Sequence, residues 1–295
     1  MPRVTEGWIE AADGTPIAYR DHGGVGRGLV LLHGGGANLE SMDQYAARLG
    51  SERRTVAIDI RACGQSGDPV RFRLTDAAAD VAEVIEVLGL GPVDVVGHSM
   101  GGFVAGFYGS EHPTARIVSI DGFGPGMVSA GTQEERAEFR AFQAGMKAAF
   151  FAMTEPPESG DRTWRDQQVE MLCEVFPRIG YTAPNARTMA ERNFVNEGSL
   201  FRRRPPRHLF ADAFEDDGEA DILRMYRNVA CPTLIIRCTE SGAPPILDVE
   251  LAALAAANHW VTVLPLRLTH LAPAWDALEE VAAHVERFLS EAEVA

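Results

Sequence analysis

Residues 97–101 read Gly-His-Ser-Met-Gly and follow Val93-Asp94-Val95-Val96 directly. A β-branched run that ends in Gly-x-Ser-x-Gly and gives way to an Ala, Gly and Phe-rich run predicts strand, sharp turn and helix, with Ser99 at the tip. So tight a turn leaves no room for a Cβ two residues to either side, and Gly97 and Gly101 remove the clash. A helix that starts just after Ser99 directs its N-terminal N–H groups and its dipole at negative charge forming near the hydroxyl. The chemistry that suits this arrangement is nucleophilic attack by Ser99 on a carbonyl carbon.

A neutral hydroxyl is a weak nucleophile and needs a base. The chain has eight histidines. His33 opens a glycine tract and His98 adjoins Ser99, where its side chain leaves the turn in another direction. Both read as residues that orient loops. His22, His112, His208, His259 and His284 fall on helices, loops or element ends and read as surface or boundary residues. His270 lies between the last predicted strand and the last predicted helix, at the same sheet edge as Ser99, and is the candidate base. The tract His33-Gly34-Gly35-Gly36 follows the apolar run Leu29–Leu32, where it lets the backbone approach a ligand and offers N–H groups to it.

These residues need a scaffold, and the chain supplies alternating strands and helices. Gly7–Arg20 alternates weakly around Asp13-Gly14, which predicts two antiparallel strands. Leu29–Leu32, Thr55–Ile60, Val93–Val96, Ile117–Asp121, Thr233–Arg237 and Trp260–Leu266 read as strands, the first as one buried on both faces. Helices are expected over Ser41–Leu49, Leu74–Leu88, Leu247–Ala257 and Pro273–Leu289, with Gly89 ending the second and Pro273 in the first turn of the last. From residue 126 to residue 228 no buried strand is expected. Amphipathic helical stretches appear instead at Glu134–Met153, Trp164–Phe176, Ala186–Asn196 and Ala220–Tyr226. The pattern predicts an α/β core, residues 1–125 and 229–295, with a mainly parallel sheet, right-handed crossovers and a helical insertion over residues 126–228. Phe139, Phe142, Met146, Phe150, Phe151 and Met153 form a stripe expected to pack the insertion on the core or to wall a pocket. Arg202-Arg203-Arg204 with Arg207 is expected to be a solvated surface, with an anion clamp as the alternative.

Over essentially its whole length the chain resembles the α/β-hydrolase superfamily, serine-nucleophile branch with a helical lid. The resemblance is carried by His33-Gly34-Gly35, Asp59-x-Arg61-x-x-Gly64-x-Ser66, Gly97–Gly102, Pro232-Thr233-Leu234 and Thr269-His270, in order and separation as well as identity. It implies an α/β-hydrolase fold, catalysis by Ser99 with His270 as base, and an oxyanion hole made by the N–H groups of Gly35 and Met100, with Gly36 in reserve. Ser99, rather than an aspartate, at the elbow sets the chain apart from the dehalogenase and epoxide-hydrolase branches. The acid departs from the commonest family pattern, which has a carboxylate in the loop after Thr233–Arg237. That loop reads Cys238-Thr239-Glu240-Ser241-Gly242-Ala243, with Glu240 as its carboxylate. It resembles the Glu-x-Gly-Ala segment of haloalkane dehalogenases, and of certain lactonases, whose acid lies at the end of the strand after the nucleophile's helix. Here that position is Asp121, and it is favoured over Glu240.

The expectation is therefore a hydrolase of an ester, lactone or thioester that needs no metal or other cofactor. The alternatives are a carbon–carbon bond hydrolase, a cofactor-free peroxidase-like enzyme, or a non-hydrolytic ligand-binding or biosynthetic protein. The chain has 295 residues and a formal net charge of −15, which disfavours nucleic acid and anionic membranes as partners and leaves a small molecule. The N-terminus lacks an apolar signal core, so a cytoplasmic location is expected. Cys63, Cys173, Cys231 and Cys238 match neither metal-site nor disulfide spacing and read as buried thiols.

Overall fold

The computed structural model describes residues 4–112, 116–123, 126–153, 157–179, 184–215, 221–274 and 276–291. Eight strands form one sheet: β1 (Thr5–Glu10), β2 (Pro16–Gly23), β3 (Arg27–Leu32), β4 (Arg53–Ile58), β5 (Val93–His98), β6 (Arg116–Ile120), and, after a long interval, β10 (Thr233–Cys238) and β11 (Val261–Leu266). Their order across the sheet is β1-β2-β4-β3-β5-β6-β10-β11. The β1–β2 hairpin turns at Gly14, where φ is +82°, and β2 runs antiparallel to β4. All other neighbours are parallel.

Helices cover both faces. In β3, Val30 and Leu32 face one apolar core and Leu29 and Leu31 the other, so the unbroken apolar run reflects burial on two sides. The first core also takes α2 (Leu74–Val87), α3 (Met100–Glu111) and α9 (Ile246–Ala257), and the second takes α1 (Asp43–Leu49) and α10 (Leu278–Ser290). The α2 helix stops at Gly89, whose φ is +58°. The final helix starts later than expected: Pro273 sits in a separate 3-10 turn over Ala272–Ala274.

Between β6 and β10 lie α4 (Gln133–Met153), β7 (Ser159–Gly160), α5 (Arg162–Val175), α6 (Ala186–Arg192), β8 (Phe194–Glu197), β9 (Leu200–Arg203), α7 (Arg207–Glu215) and α8 (Arg224–Arg227). This interval is not purely helical, as it also holds a three-stranded antiparallel sheet in the order β7-β9-β8. The stretch Ala186–Asn196 is accordingly not one helix. It breaks after Arg192 because Phe194 and Val195 pair with β9 across a turn at Gly198, where φ is +82°. Of the expected helix Ala220–Tyr226, Ala220 lies outside the described residues and the helical part is α8. Val169, Phe176, Met189, Ala190 and Phe194 give this interval a small apolar cluster of its own.

Candidate active site

The parallel strands all end at one edge of the sheet. His33–Gly36 follows β3, Asp59 follows β4, Ser99 follows β5, Asp121 follows β6, Glu240 follows β10 and His270 follows β11. Open α/β sheets gather ligand-binding groups at this edge.

Ser99 has φ +51° and ψ −118° and immediately precedes α3. The local reason for the flanking glycines is steric. A Cβ on Gly97 would lie 2.1 Å from the Gly101 carbonyl oxygen, and one on Gly101 would lie 2.3 Å from that of Leu32. The backbone N–H of Ser99 donates to the Ile120 carbonyl at 2.9 Å, which ties the turn to the neighbouring strand end. Holding a non-glycine residue at positive φ costs about 1–3 kcal/mol, which the surrounding packing must offset.

His270 Nε2 lies 3.0 Å from Ser99 Oγ, and His270 Nδ1 lies 2.7 Å from Asp121 Oδ2. An ionised carboxylate only accepts, so Nδ1 carries the proton and donates to Asp121. The Nε2 lone pair is then turned to the Ser99 hydroxyl. Asp121 is buried and its φ is +47°, a second strained residue at the same edge. Its N–H donates to the Ile236 carbonyl at 2.7 Å, and the Cys238 N–H donates to its other oxygen, Oδ1, at 2.9 Å. The buried Arg237 guanidinium stands 3.7 Å from Oδ1 and is itself held by the Cys238 carbonyl, by Ser241 Oγ at 2.8 Å and by Asp248 at 2.9 Å. The sequence reading did not single out Arg237. An arginine in an otherwise apolar strand was the available signal.

Glu240 is placed differently. Its carboxylate faces the exposed Arg267 at 3.1 Å, while its backbone N–H donates to the Leu268 carbonyl at 3.0 Å. It thus anchors the loop that leads to His270 through its main chain. The same loop is held by Tyr45, whose hydroxyl donates to the Pro273 carbonyl at 2.8 Å, and by His98, whose Nε2–H donates to the His270 carbonyl at 2.9 Å. His98 is buried, and burial together with the nearby His270 pushes its pKa down to about 4, so it stays neutral and holds this bond. His33 is also lowered by burial. It accepts from the Ile60 N–H at 3.0 Å through Nε2 and so donates from Nδ1 to the Gly34 carbonyl at 2.8 Å.

The glycine tract lies against the elbow. A Cβ on Gly34 would be 3.3 Å from that of Ser99, and a Cβ on Gly35 would be 3.9 Å from that of Met100. Met100 is the first residue of α3, so its N–H lies at the open N-terminal end of the helix. Gly35 and Met100 both line the cavity beside Ser99. The Gly36 N–H is engaged with the Cys63 sulfur. The Asp59 motif supports this tract from below. The Asp59 carboxylate accepts from the N–H groups of Leu39 and Gln65 and from Arg192 Nε at 2.8–2.9 Å, and Asn193 reaches the Gly36 carbonyl at 3.1 Å.

A cavity of about 780 Å³ opens above Ser99. Phe123, Phe139, Phe142, Met146 and Phe210 contribute apolar wall. Phe139 is in addition part of the main core, so the stripe both packs and walls, though Phe150 and Met153 lie outside the described side chains. The arginine run is not a solvated surface throughout. Arg203 and Arg204 are each only 7% exposed and line the same cavity. The pairing of β9 with β7 and β8 turns Arg203 inward, which a one-dimensional charge run does not reveal.

Among the described residues no helix is long and apolar enough to cross a membrane. The described cysteines are free thiols; Cys63, Cys231 and Cys238 are buried and Cys173 is half-buried.

A non-heme chloroperoxidase of Streptomyces lividans is 33% identical over 157 residues, which span 49% of this chain and 57% of that protein. A soluble epoxide hydrolase of Corynebacterium sp. (strain C12) is 34% identical over 119 residues, 38% of this chain and 41% of that enzyme. The chain spans between about a third and a little over half of the length of the curated relatives it matches. Among solved structures, E-2-(acetamidomethylene)succinate hydrolase aligns with a TM-score of 0.74 at 21% identity over 98% of this chain and 100% of that one. The enol-lactonase of Burkholderia xenovorans LB400 aligns with a TM-score of 0.62 at 18% identity over 97% and 100%. At such identities the likeness is one of fold. The family profile of the alpha/beta hydrolases matches residues 29–284, most of the chain, and the protein belongs to that family.

Proposed function

We propose that this protein is a serine hydrolase that cleaves an ester or lactone of a small to medium, largely apolar substrate. The observation that carries the reading is the continuous chain of hydrogen bonds from Ser99 through His270 to Asp121, set at the N-terminus of α3. Ser99 Oγ attacks the carbonyl carbon as His270 Nε2 takes its proton. Asp121 keeps the imidazole in the tautomer that can accept and stabilises the imidazolium that results. The Gly35 and Met100 N–H groups receive the oxyanion. The bond to the leaving alkoxide breaks as Nε2–H returns the proton to it, which leaves an acyl-enzyme. Water then gives a proton to His270 and attacks the acyl carbon, and Ser99 recovers its hydrogen. The interval between β6 and β10 serves as the lid, with Phe139 and Phe142 as its apolar wall. The acidic surface supports a small-molecule substrate over nucleic acid or a membrane, and the free thiols support a reducing, cytoplasmic setting.

A panel of p-nitrophenyl esters and lactones of graded size, run on the wild type and on Ser99→Ala, tests this reading, with a fluorophosphonate label followed by intact mass. The expected outcome is a stoichiometric adduct on the wild type only. Activity in Ser99→Ala should drop to the roughly 10³–10⁴-fold enhancement that binding and the oxyanion hole supply without the nucleophile. Unchanged activity at unchanged melting temperature refutes the reading. A second reading draws on the haloperoxidase names of two relatives that are 33% identical. In it, hydrogen peroxide replaces water in the second half-reaction and the acyl group leaves as a peracid. Peracid formation from a carboxylic acid and peroxide, dependent on Ser99, is its test.

A further inference from the structure

The wall of the cavity carries an arginine whose charge the protein leaves poorly answered. Arg204 is 7% exposed and lines the same cavity as Ser99, Met100 and His270. Among the described residues it pairs with Asp68, where Nε stands 3.4 Å from Oδ1, and neither Nε nor Nη1 has a hydrogen-bond partner among them. Asp68 is not dedicated to it, since its other oxygen is taken by Arg202, which also pairs with Glu197. One carboxylate is therefore shared by two guanidinium groups. Burial lowers the pKa of Arg204, the mark of a charge removed from water without full compensation. Arg203 and Lys147 line the same cavity, and its two carboxylates are already engaged, Asp121 by His270 and the Cys238 N–H and Glu240 by Arg267. Buried charges are ordinarily paired and hydrogen-bonded, and a guanidinium fork matches a carboxylate in two parallel bonds.

We propose that Arg204 receives a carboxylate of the substrate, so that the preferred substrates of Ser99 are esters or lactones bearing a carboxylate remote from the scissile bond. This rests on the hydrolase reading and names the substrate class within it. A sphere of the cavity's volume is about 11 Å across, ordinary for a small-ligand site. A linker of three or four methylenes between the two carbonyl carbons suits that span. The apolar wall takes the linker and leaving group, and the arginine takes the charged end.

The test compares mono-p-nitrophenyl glutarate with p-nitrophenyl 5-methylhexanoate, in which an isopropyl group replaces the carboxylate. The quantity read is the ratio of kcat/KM for the charged ester to that for the neutral one. In the wild type it should exceed ten and persist at 0.5 M salt, because a buried pair is weakly screened. In Arg204→Gln the ratio should fall at least tenfold. Should that variant not fold, Arg204→Met keeps the aliphatic stem and reads the same ratio. A wild-type ratio of one or less, or a ratio unchanged by removing the guanidinium, overturns the proposal while the hydrolase reading stands. If the wild type hydrolyses neither ester, that reading has failed. Binding of free glutarate by calorimetry then decides the anion site on its own: binding weakened at least tenfold in the Arg204 variant supports it, and no binding to the wild type overturns it.

Discussion

Asp121→Asn is the most informative single change, because the geometry around the side chain dictates which way the amide must face. In the wild type Asp121 Oδ1 accepts from the Cys238 N–H at 2.9 Å, while Oδ2 accepts from His270 Nδ1–H at 2.7 Å. An asparagine can satisfy the fixed Cys238 donor only with its carbonyl oxygen. Its NH2 group then faces His270 and donates to Nδ1. The imidazole must place its own proton on Nε2, where it points at Ser99 Oγ, 3.0 Å away. The base is thereby lost without a large change in shape. The residual activity should be lower by up to about 10⁴-fold in kcat, which corresponds to about 5 kcal/mol of transition-state stabilisation. Glu240→Gln removes only the exposed pair with Arg267 and leaves the backbone bond to Leu268 in place, so its effect on kcat should stay within a few-fold. Both variants are to be assayed on one good ester substrate, with melting temperatures alongside. A larger loss in Glu240→Gln than in Asp121→Asn, with both folded, would move the acid to Glu240 and refute the tautomer argument.

The interval between β6 and β10 should exchange amide hydrogens faster than the sheet. Among the described side chains of α4 only Phe139 is buried, whereas every residue of β5 is. Protection across residues 134–228 as high as across Val93–Val96 would count against a mobile lid. His98 has a folded pKa of about 4, below the ordinary 6.5, so the unfolded chain binds its proton first as pH falls. Its contribution is present above pH 6.5 and lost on acidification towards pH 4. In His98→Gln, which keeps a donor for the His270 carbonyl, this part of the slope is absent. The stability of wild type minus variant, from urea titrations, should therefore fall by about 2 kcal/mol between pH 7 and pH 4.5. A difference that does not change with pH would show that His98 is not held neutral by burial.

Features that follow from the sterics of a turn or from hydrophobic periodicity were legible in the sequence. The elbow at Ser99 was legible because a Cβ on Gly97 would strike Gly101 within the same turn, although the clash at Gly101 is with the Leu32 carbonyl on the adjacent strand. Strands buried on both faces announced themselves as unbroken apolar runs, and His270 was placed by its position after the last strand. The tertiary structure decided what depends on which strands lie side by side and which way side chains point. Asp121 and Glu240 follow β6 and β10, which are neighbours in the sheet, so both strands end at the edge that carries His270. The two carboxylates are separated by the positive φ of Asp121, which turns its carboxylate into the sheet edge under the Cys238 N–H, while Glu240 turns outward to Arg267. The break of Ala186–Asn196 into helix and strand likewise waited on a partner, β9, that lies further along the chain. The arginine run shows the same limit. Three adjacent charges read as solvated, because burial of a guanidinium is a property of the walls folded around it and leaves no trace in the residues themselves.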